Sequence, residues 1–144
     1  MVSKETKETV LAFGHGNIQA VHPSTLMFTK ENHLSRTGDC IIAVAANKAV
    51  ADLNCEFKEN LKKPNAKLSV IIEVESLTQQ VNAFGSPKLL LTDPTDMVIR
   101  KSEYISGRTL AVHADKSSND LPREFVEKLK NPQQKIKITF IVKT

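Results

Sequence analysis

The sequence predicts a strand-rich α+β fold: one domain made of two tandem β-β-β-β-α-β repeats around a pseudo-twofold axis. The first observation is internal repetition, because most of the pattern of residues 40–74 recurs at 108–142. The second is hydrophobic periodicity, which alternates in strand segments and recurs every three or four residues in helical ones. The third is length, since 144 residues suit a single domain. Five strands per half favour a strongly curved or barrel-like sheet, because closure removes exposed edges.

The repeat rests on identities that continue without a gap at a constant spacing of 68 positions. Weaker similarity extends upstream at a spacing of 71, so repeat 1 covers about 9–75 and repeat 2 about 80–143. The first copy has three extra residues near Arg36 to Gly38. The identical pairs include Ala43/Ala111, Val44/Val112, Ala46/Ala114, Lys48/Lys116, Asp52/Asp120, Leu53/Leu121, Glu56/Glu124, Phe57/Phe125, Leu61/Leu129, Lys62/Lys130, Pro64/Pro132, Lys67/Lys135 and Val74/Val142.

Three short strands and a loop precede the long repeated segment. Val10 to Phe13 reads as a strand closed by Gly14, and Ile18 to Val21 as a second extended piece stopped by a proline. Leu26 to Phe28, set among threonines, has the β-branched and aromatic composition of a third strand. The polar stretch from Lys30 to Gly38 predicts a loop.

The repeated segment itself reads as strand, helix, strand. Cys40 to Ala46 is apolar throughout, which is typical of a strand covered on both faces. Asn47 is placed to cap a helix that begins near Lys48. This helix carries one apolar stripe and ends at Pro64. The stripe consists of Val50, Leu53, Phe57 and Leu61.

Strict alternation then predicts a half-buried strand over Lys67 to Val74. The second copy repeats this pattern in the same phase, with Ile136, Ile138, Phe140 and Val142 in the apolar places. Pro122 fits a helix only in its first turn, so the second helix is expected to start near Asp120.

Composition narrows the functional classes without choosing among them. The formal net charge is +4, and the lysines alternate with acidic residues in most segments. A denser basic run permits an anionic partner. No apolar stretch approaches a membrane span and the start of the chain lacks a signal-like region, so we expect a cytoplasmic protein with Cys40 and Cys55 as free thiols. The basic run consists of Lys128, Lys130, Lys135, Lys137 and Lys143.

Four polar residues of the first copy are candidate catalytic groups. His15, His22, Asp39 and Cys40 have no counterparts of the same type in the second copy, which suggests that one half specialised. These side chains also suit zinc, but no spacing characteristic of a metal site is present. The alternative interpretation is simple divergence between two loops. No metal site and no cofactor are predicted.

Candidate ligand-binding residues lie chiefly at the two strand-to-helix junctions. Lys48 in the first junction, and Asp115 and Lys116 in the second, are placed where helix amino termini attract anions. His113 is expected to face a cleft or the surface. In the alternative interpretation, Asn47 and Asp115 only cap helices. The ligand-binding set is Asn17, Lys30, Lys48, His113, Asp115 and Lys116.

Several of these motifs together resemble an archaeal family known only as domain of unknown function number 371. They include Gly14-His15-x-Asn17, Gly38-Asp39-Cys40 and Ala114-Asp115-Lys116. The chain departs from the family pattern at Gly16, where proline is expected, and at Asn47, where aspartate is expected. The resemblance implies an archaeal, thermophilic, cytoplasmic protein, and it implies no activity, substrate or cofactor.

Two functional hypotheses follow. The first is a protein that binds an anionic partner, with RNA or a ribonucleoprotein ahead of a phosphorylated small molecule; basic charge favours it. The second is a small, hydrolase-like enzyme that uses His15, His22 and Asp39. The polar difference between the two copies favours it. The sequence specifies neither the ligand nor the oligomeric state.

Overall fold

The computed structural model of the chain describes residues 5–35 and 37–144. Within them, the order of three strands, a 3-10 turn, a helix and a strand occurs twice, which confirms the α+β class. The 3-10 turns are Val50–Asp52 and Ser118–Asp120. The strands are β1 (Glu5–Phe13), β2 (Thr25–Thr29), β3 (Ile41–Ala43), β4 (Lys67–Val74), β5 (Leu77–Phe84), β6 (Asp96–Arg100), β7 (Thr109–Ala111) and β8 (Lys135–Lys143), and the helices are α1 (Cys55–Leu61) and α2 (Arg123–Leu129).

The strands form two four-stranded sheets. Sheet A has the order β1-β8-β4-β5 and is antiparallel throughout. Sheet B has the order β3-β2-β6-β7, in which the central pair is antiparallel and the outer pairs are parallel. Isolated bridges join Phe13 to Val44 and Phe84 to Val112. The sheets do not close into a barrel, so the predicted barrel-like sheet is not confirmed.

One hydrophobic core lies between the two sheets and the helices. Phe28 of sheet B and Phe140 of sheet A have ring centroids 6.0 Å apart, so the inner faces of the sheets are in contact. Phe57 of α1 packs against the same Phe140 ring at 6.4 Å. Alternation along β4 and β8 places one side of each strand in this core, where the side chains are at most 1% exposed. These side chains are Leu68, Val70, Ile72, Val74, Ile136, Ile138, Phe140 and Val142.

The predicted strands at 26–28 and 67–74 are confirmed, and two other expectations about strands are wrong. Ile18 to Val21 is not a strand, because the Ile18 N–H closes a turn onto the His15 carbonyl. Each half therefore has four strands, not five, among the described residues. The strand predicted from Cys40 to Ala46 is only Ile41–Ala43, followed by the bridge at Val44.

Both helices begin later than predicted. The residue expected to cap the first helix, Asn47, is hydrogen-bonded to a strand instead. The Asn47 side chain accepts a hydrogen bond from the Leu11 N–H at 3.0 Å, and the Asn47 N–H donates to the Leu11 carbonyl at 2.9 Å. Asn47 thus pairs with the edge of β1, and Asn54 caps α1 instead by accepting from the Glu56 N–H. Pro122 lies immediately before α2, where its missing N–H costs nothing.

Candidate functional site

One face of sheet A points away from the core, and its side chains are exposed or half-buried. Residues 5, 7, 9, 11 and 13 of β1 lie on this face, because Val10 and Ala12 lie on the buried one. The strand register extends it across β8, β4 and β5. We call this surface the basic face. Its outward side chains are Glu5, Lys7, Thr9, Leu11, Phe13, Lys135, Lys137, Thr139, Ile141, Lys143, Lys67, Ser69, Ile71, Glu73, Thr78, Gln80, Asn82 and Phe84.

Five lysines and two glutamates give the basic face a net positive charge. Its only ion pair among the described residues is a loose one, between Lys143 and Glu5 at 3.9 Å. Several lysines elsewhere in the chain make closer ion pairs, such as Lys48 with Glu8 at 3.2 Å. Lys137 is directly opposite Glu73 and Lys143 is opposite Glu5, so Lys7, Lys67 and Lys135, which have no acidic register partner, are the ammonium groups most available to an anion. The five lysines are Lys7, Lys67, Lys135, Lys137 and Lys143.

The arrangement of these lysines is unfavourable in the isolated protein. Lys67 and Lys143 are directly opposite each other on neighbouring strands. Like charges in such positions repel and destabilise a sheet. An anion bound between the two ammonium groups would relieve this repulsion.

Two phenylalanines occupy opposite corners of the basic face, and each is opposite a lysine. Phe84 is the register partner of Lys67, and Phe13 is that of Lys135. Phe84 is 41% exposed, whereas Phe13 is half-buried. The corner at Phe84 is a concavity of about 440 Å³. Its lining includes Lys67, Ser69, Asn82, Phe84 and Lys143.

The basic run found in the sequence is only partly on this face. Lys135, Lys137 and Lys143 alternate along β8 and point outward together, while Lys128 and Lys130 lie at α2 and pair with Glu75 and Glu127. Sequence reasoning missed the remaining members, Lys7, Lys67, Phe13 and Phe84. The alternation of lysines in the last strand was the available signal, but strand order was needed to assemble the face.

The candidate catalytic histidines act as hydrogen-bond acceptors in turns. The Nδ1 atom of His15 accepts from the Asn17 N–H at 3.0 Å. The Nδ1 atom of His22 accepts from the Ser24 and Thr25 N–H groups, both at 3.1 Å. Both rings are therefore the tautomer with the proton on Nε2.

The backbone of Asp39 and Cys40 lies next to the backbone of Val21 and His22. The Asp39 carbonyl accepts from the Val21 N–H at 3.0 Å and from the buried Ser118 hydroxyl at 3.3 Å. Burial raises the pKa of the Cys40 thiol, partly offset by a hydrogen bond with Thr25, so burial disfavours the nucleophilic thiolate. Cys40 and Cys55 are free thiols. Among the residues that the structure describes, no three His, Cys, Asp or Glu side chains gather as a metal site.

Asp93 occupies the position of His22 in the second half, so the role of His22 can be tested by substituting aspartate for it. Asp93 makes the same two bonds with its Oδ1 atom, to the Thr95 and Asp96 N–H groups at 2.8 Å. We expect His22→Ala to lower the free energy of unfolding by about 1–2 kcal/mol, because two N–H groups lose their acceptor. His22→Asp should retain most of the stability. Urea unfolding of both variants measures this, and an equal loss in both would contradict the turn-acceptor role.

Most of the predicted ligand-binding residues already have structural partners. Asn17 donates to the Leu34 carbonyl at 2.7 Å, and Lys30 pairs with Asp52 at 3.0 Å. Lys48 pairs with Glu8 at 3.2 Å. The Asp115 carboxylate accepts from both the backbone and the side-chain amide of Asn82, at 2.9 and 3.1 Å. Asp115 thus pairs with the edge of β5 and is not a helix cap.

The remaining two, His113 and Lys116, are more open. His113 has a left-handed backbone, with φ of 52°, and its Nε2 atom is 3.9 Å from Glu103. It lines a cleft of about 350 Å³ together with Ser86, Lys88 and Ile105. Lys116 is half-buried and makes no ion pair with the described part of the chain. The predicted role of both in ligand binding stays a prediction.

The ion pair between Lys101 and Asp120 predicts a loss of stability in acid. The hydrogen bond from Lys101 at 2.7 Å and that from the Ser117 N–H at 2.8 Å lower the pKa of Asp120 from 3.8 to about 2. A lowered pKa contributes stability that is present above about pH 4 and is lost as the pH falls towards 2. Urea unfolding at a series of pH values should show a weaker pH dependence for Asp120→Asn than for the unmodified protein. Parallel curves would contradict the assignment.

Comparison with known proteins adds a family but no activity. The family model described as Domain of unknown function (DUF371) matches residues 10–143. The relative named Uncharacterized protein MJ0206, from Methanocaldococcus jannaschii, is 46% identical over 127 residues, which cover 88% of this chain and 93% of that protein. In the described part of the chain, no helix is long and apolar enough to cross a membrane.

Proposed function

The chain belongs to the family described as Domain of unknown function (DUF371), and we propose from its own surface that it binds single-stranded RNA on the basic face. The observation that carries this proposal is the grouping of five lysines and two phenylalanines on one uncovered sheet face. Lysines supply attraction to phosphates, and exposed aromatic rings supply platforms on which unpaired bases stack. A cytoplasmic location is part of the proposal.

The extent of the face favours a chain of phosphates over one phosphorylated small molecule. Lys135 and Lys143 are eight residues apart on β8, which corresponds to about 27 Å along a strand. The four strands add about 14 Å in the other direction. One phosphate group contacts only a corner of such a surface, whereas an extended RNA strand reaches lysines on β1, β8 and β4. A single strand is favoured over a duplex because the rings need unstacked bases.

We also propose that the protein arose by internal duplication. Contacts that recur at the sequence spacings of 68 and 71 support this. Asn47 pairs with Leu11 as Asp115 pairs with Asn82, and Lys30 pairs with Asp52 as Lys101 pairs with Asp120. In this view the two phenylalanine corners of the basic face are related by a pseudo-twofold axis. The enzyme hypothesis is not carried forward, because the Nδ1 atoms of His15 and His22 are already held in turns.

The salt dependence of RNA binding tests the proposed function. Affinity for a fluorescent 12-nucleotide oligouridylate, measured by anisotropy, should fall linearly in log K against log salt concentration. Five phosphate contacts on a single strand predict a slope of about −3.5, and three predict about −2. A polyglutamate chain of the same net charge is the control for an acidic protein partner. No RNA binding at low salt, a flat slope, or equal affinity for polyglutamate would overturn the proposal.

A further inference from the structure

We infer that the concavity beside Phe84 is a nucleobase-binding subsite, in which a base stacks on the Phe84 ring and its flanking phosphates contact Lys67 and Lys143. The inference rests on the proposed function and assigns one position on the basic face a distinct role. The other lysines hold the strand by charge alone. The subsite selects for the presence of a base.

The position of Phe84 explains why its ring is open. It is the last residue of β5 and points to the outer face, because its neighbour Ala83 is buried. Its N–H and carbonyl both bond to Val112, at 2.8 and 2.9 Å, which fixes the backbone. Gly85 follows, and a Cβ atom there would overlap the Leu61 carbonyl, so the backbone after Phe84 is packed closely against the end of α1. The ring thus stays 41% exposed on a rigid strand end.

Charge and shape at this corner match a nucleotide. Lys67 lies between Phe84 and Lys143 in the strand register, so an aromatic ring and two ammonium groups adjoin. Lys67 makes no ion pair with the described residues, and the Lys143 contact with Glu5 is 3.9 Å. The volume of about 440 Å³ is in the range of small-ligand sites, and most of its lining is apolar. An apolar floor beside two cations suits a flat base with a phosphate on each side.

The uncharged polar side chains at the edge of the concavity are hydrogen-bonded to one residue, Asn82. Asn82 accepts hydrogen bonds from Ser69 at 3.4 Å and from Gln80 at 2.9 Å, while its own amide donates to Asp115 at 3.1 Å. Because the Asn82 amide oxygen already accepts two hydrogen bonds and one of its two amide N–H groups already donates to Asp115, this edge offers little discrimination between bases. The subsite should therefore accept any base, as is usual for stacking on an aromatic side chain.

Other exposed apolar side chains do not combine an open aromatic ring with neighbouring lysines of the basic face. Tyr104 is more exposed than Phe84, at 63%, but the Arg100 guanidinium stacks on its ring at 4.9 Å and occupies one side. Leu11 and Leu90 are exposed and have no ring on which a base can stack. Phe13 occupies the opposite corner of the basic face but is half-buried.

A tryptophan reporter tests the stacking directly, because the sequence contains no tryptophan. Emission of Phe84→Trp should be quenched when the 12-nucleotide oligouridylate binds, since a base stacks on the indole. Leu90→Trp, which places the reporter on an exposed loop outside sheet A, is the matched control and should change little. Equal responses of both reporters, or no response of the first while RNA is bound, would overturn the inference.

Affinity measurements separate this inference from the proposed function. Phe84→Ala should weaken oligouridylate binding by about 5- to 150-fold, the range for one stacked base, without changing the salt slope. An abasic strand of equal length should bind unmodified protein and Phe84→Ala alike. If Phe84→Ala binds RNA within twofold of the unmodified protein, the subsite is wrong and the proposed function survives. If the unmodified protein binds no RNA, the proposed function fails.

Discussion

Reversing the charge of Lys135 and Lys137 together should reduce the affinity for oligouridylate by at least about 30-fold at low salt. The two substitutions to glutamate change the charge of the face by four units, and each unit near a phosphate contributes about 1 kcal/mol in water, less after screening. A net loss of about 2 kcal/mol corresponds to that factor. Both side chains are exposed on β8, but Lys137→Glu stands directly opposite Glu73, so urea unfolding of the variant should accompany the binding measurement.

The matched control reverses the same number of charges elsewhere. Lys62 and Lys88 are exposed, lie outside the strands of sheet A and make no ion pair with the described residues. Their double substitution to glutamate lowers the net charge equally, and we expect it to change the affinity by less than about threefold, since neither lysine belongs to the basic face and exposed charges that do not contact the RNA are screened. Anisotropy titrations of both double variants give the comparison. Equal losses in the two would show that binding follows the overall charge of the protein and not the basic face.

Phe57→Ala and Phe125→Ala should each lower the free energy of unfolding by about 3–5 kcal/mol. Phe57 is 1% exposed and Phe125 2% exposed, so each truncation leaves a cavity as well as removing buried apolar area. Phe57 also loses its contact with the Phe140 ring. Because whole domains of this kind are stable by only about 5–15 kcal/mol, either variant loses a large share of its stability.

Phe84→Ala is the matched control for these two substitutions. It removes the same atoms from a ring that is 41% exposed, so its cost should be below about 1.5 kcal/mol. Urea unfolding of the three variants under one set of conditions measures the difference. If the two core truncations cost no more than Phe84→Ala, the helices do not pack on the sheets as described.

Local patterns in the sequence were sufficient for several elements. Alternation in residues 67–74 predicted β4 with its bounds and its buried face, because a strand places successive side chains on opposite sides. The spacing of Phe57 and Leu61 predicted that both are buried, and they are. The family resemblance was carried by short sequence motifs, and it is confirmed by the match over residues 10–143.

Cap residues were less predictable, because more than one partner competes for the same polar group. Asn47 and Asp115 are residue types that often cap helices, yet both pair with strand edges, Asn47 with Leu11 and Asp115 with Asn82. The edges of β1 and β5 expose unpaired backbone groups that need partners, and these are not visible from the neighbouring sequence. The helices therefore start several residues later than the patterns suggested.

The sequence by itself determined the α+β class, the two buried phenylalanines of the helices and the outward alternation of lysines in the last strand. Only the tertiary structure decided that Lys135, Lys137 and Lys143 share a surface with Lys7, Lys67 and Phe84. Side-chain parity along a strand is a local property of the backbone. Which strands flank β8 depends on contacts between segments more than 50 residues apart, since β8 pairs with β1 and β4, and the candidate site exists only in that order.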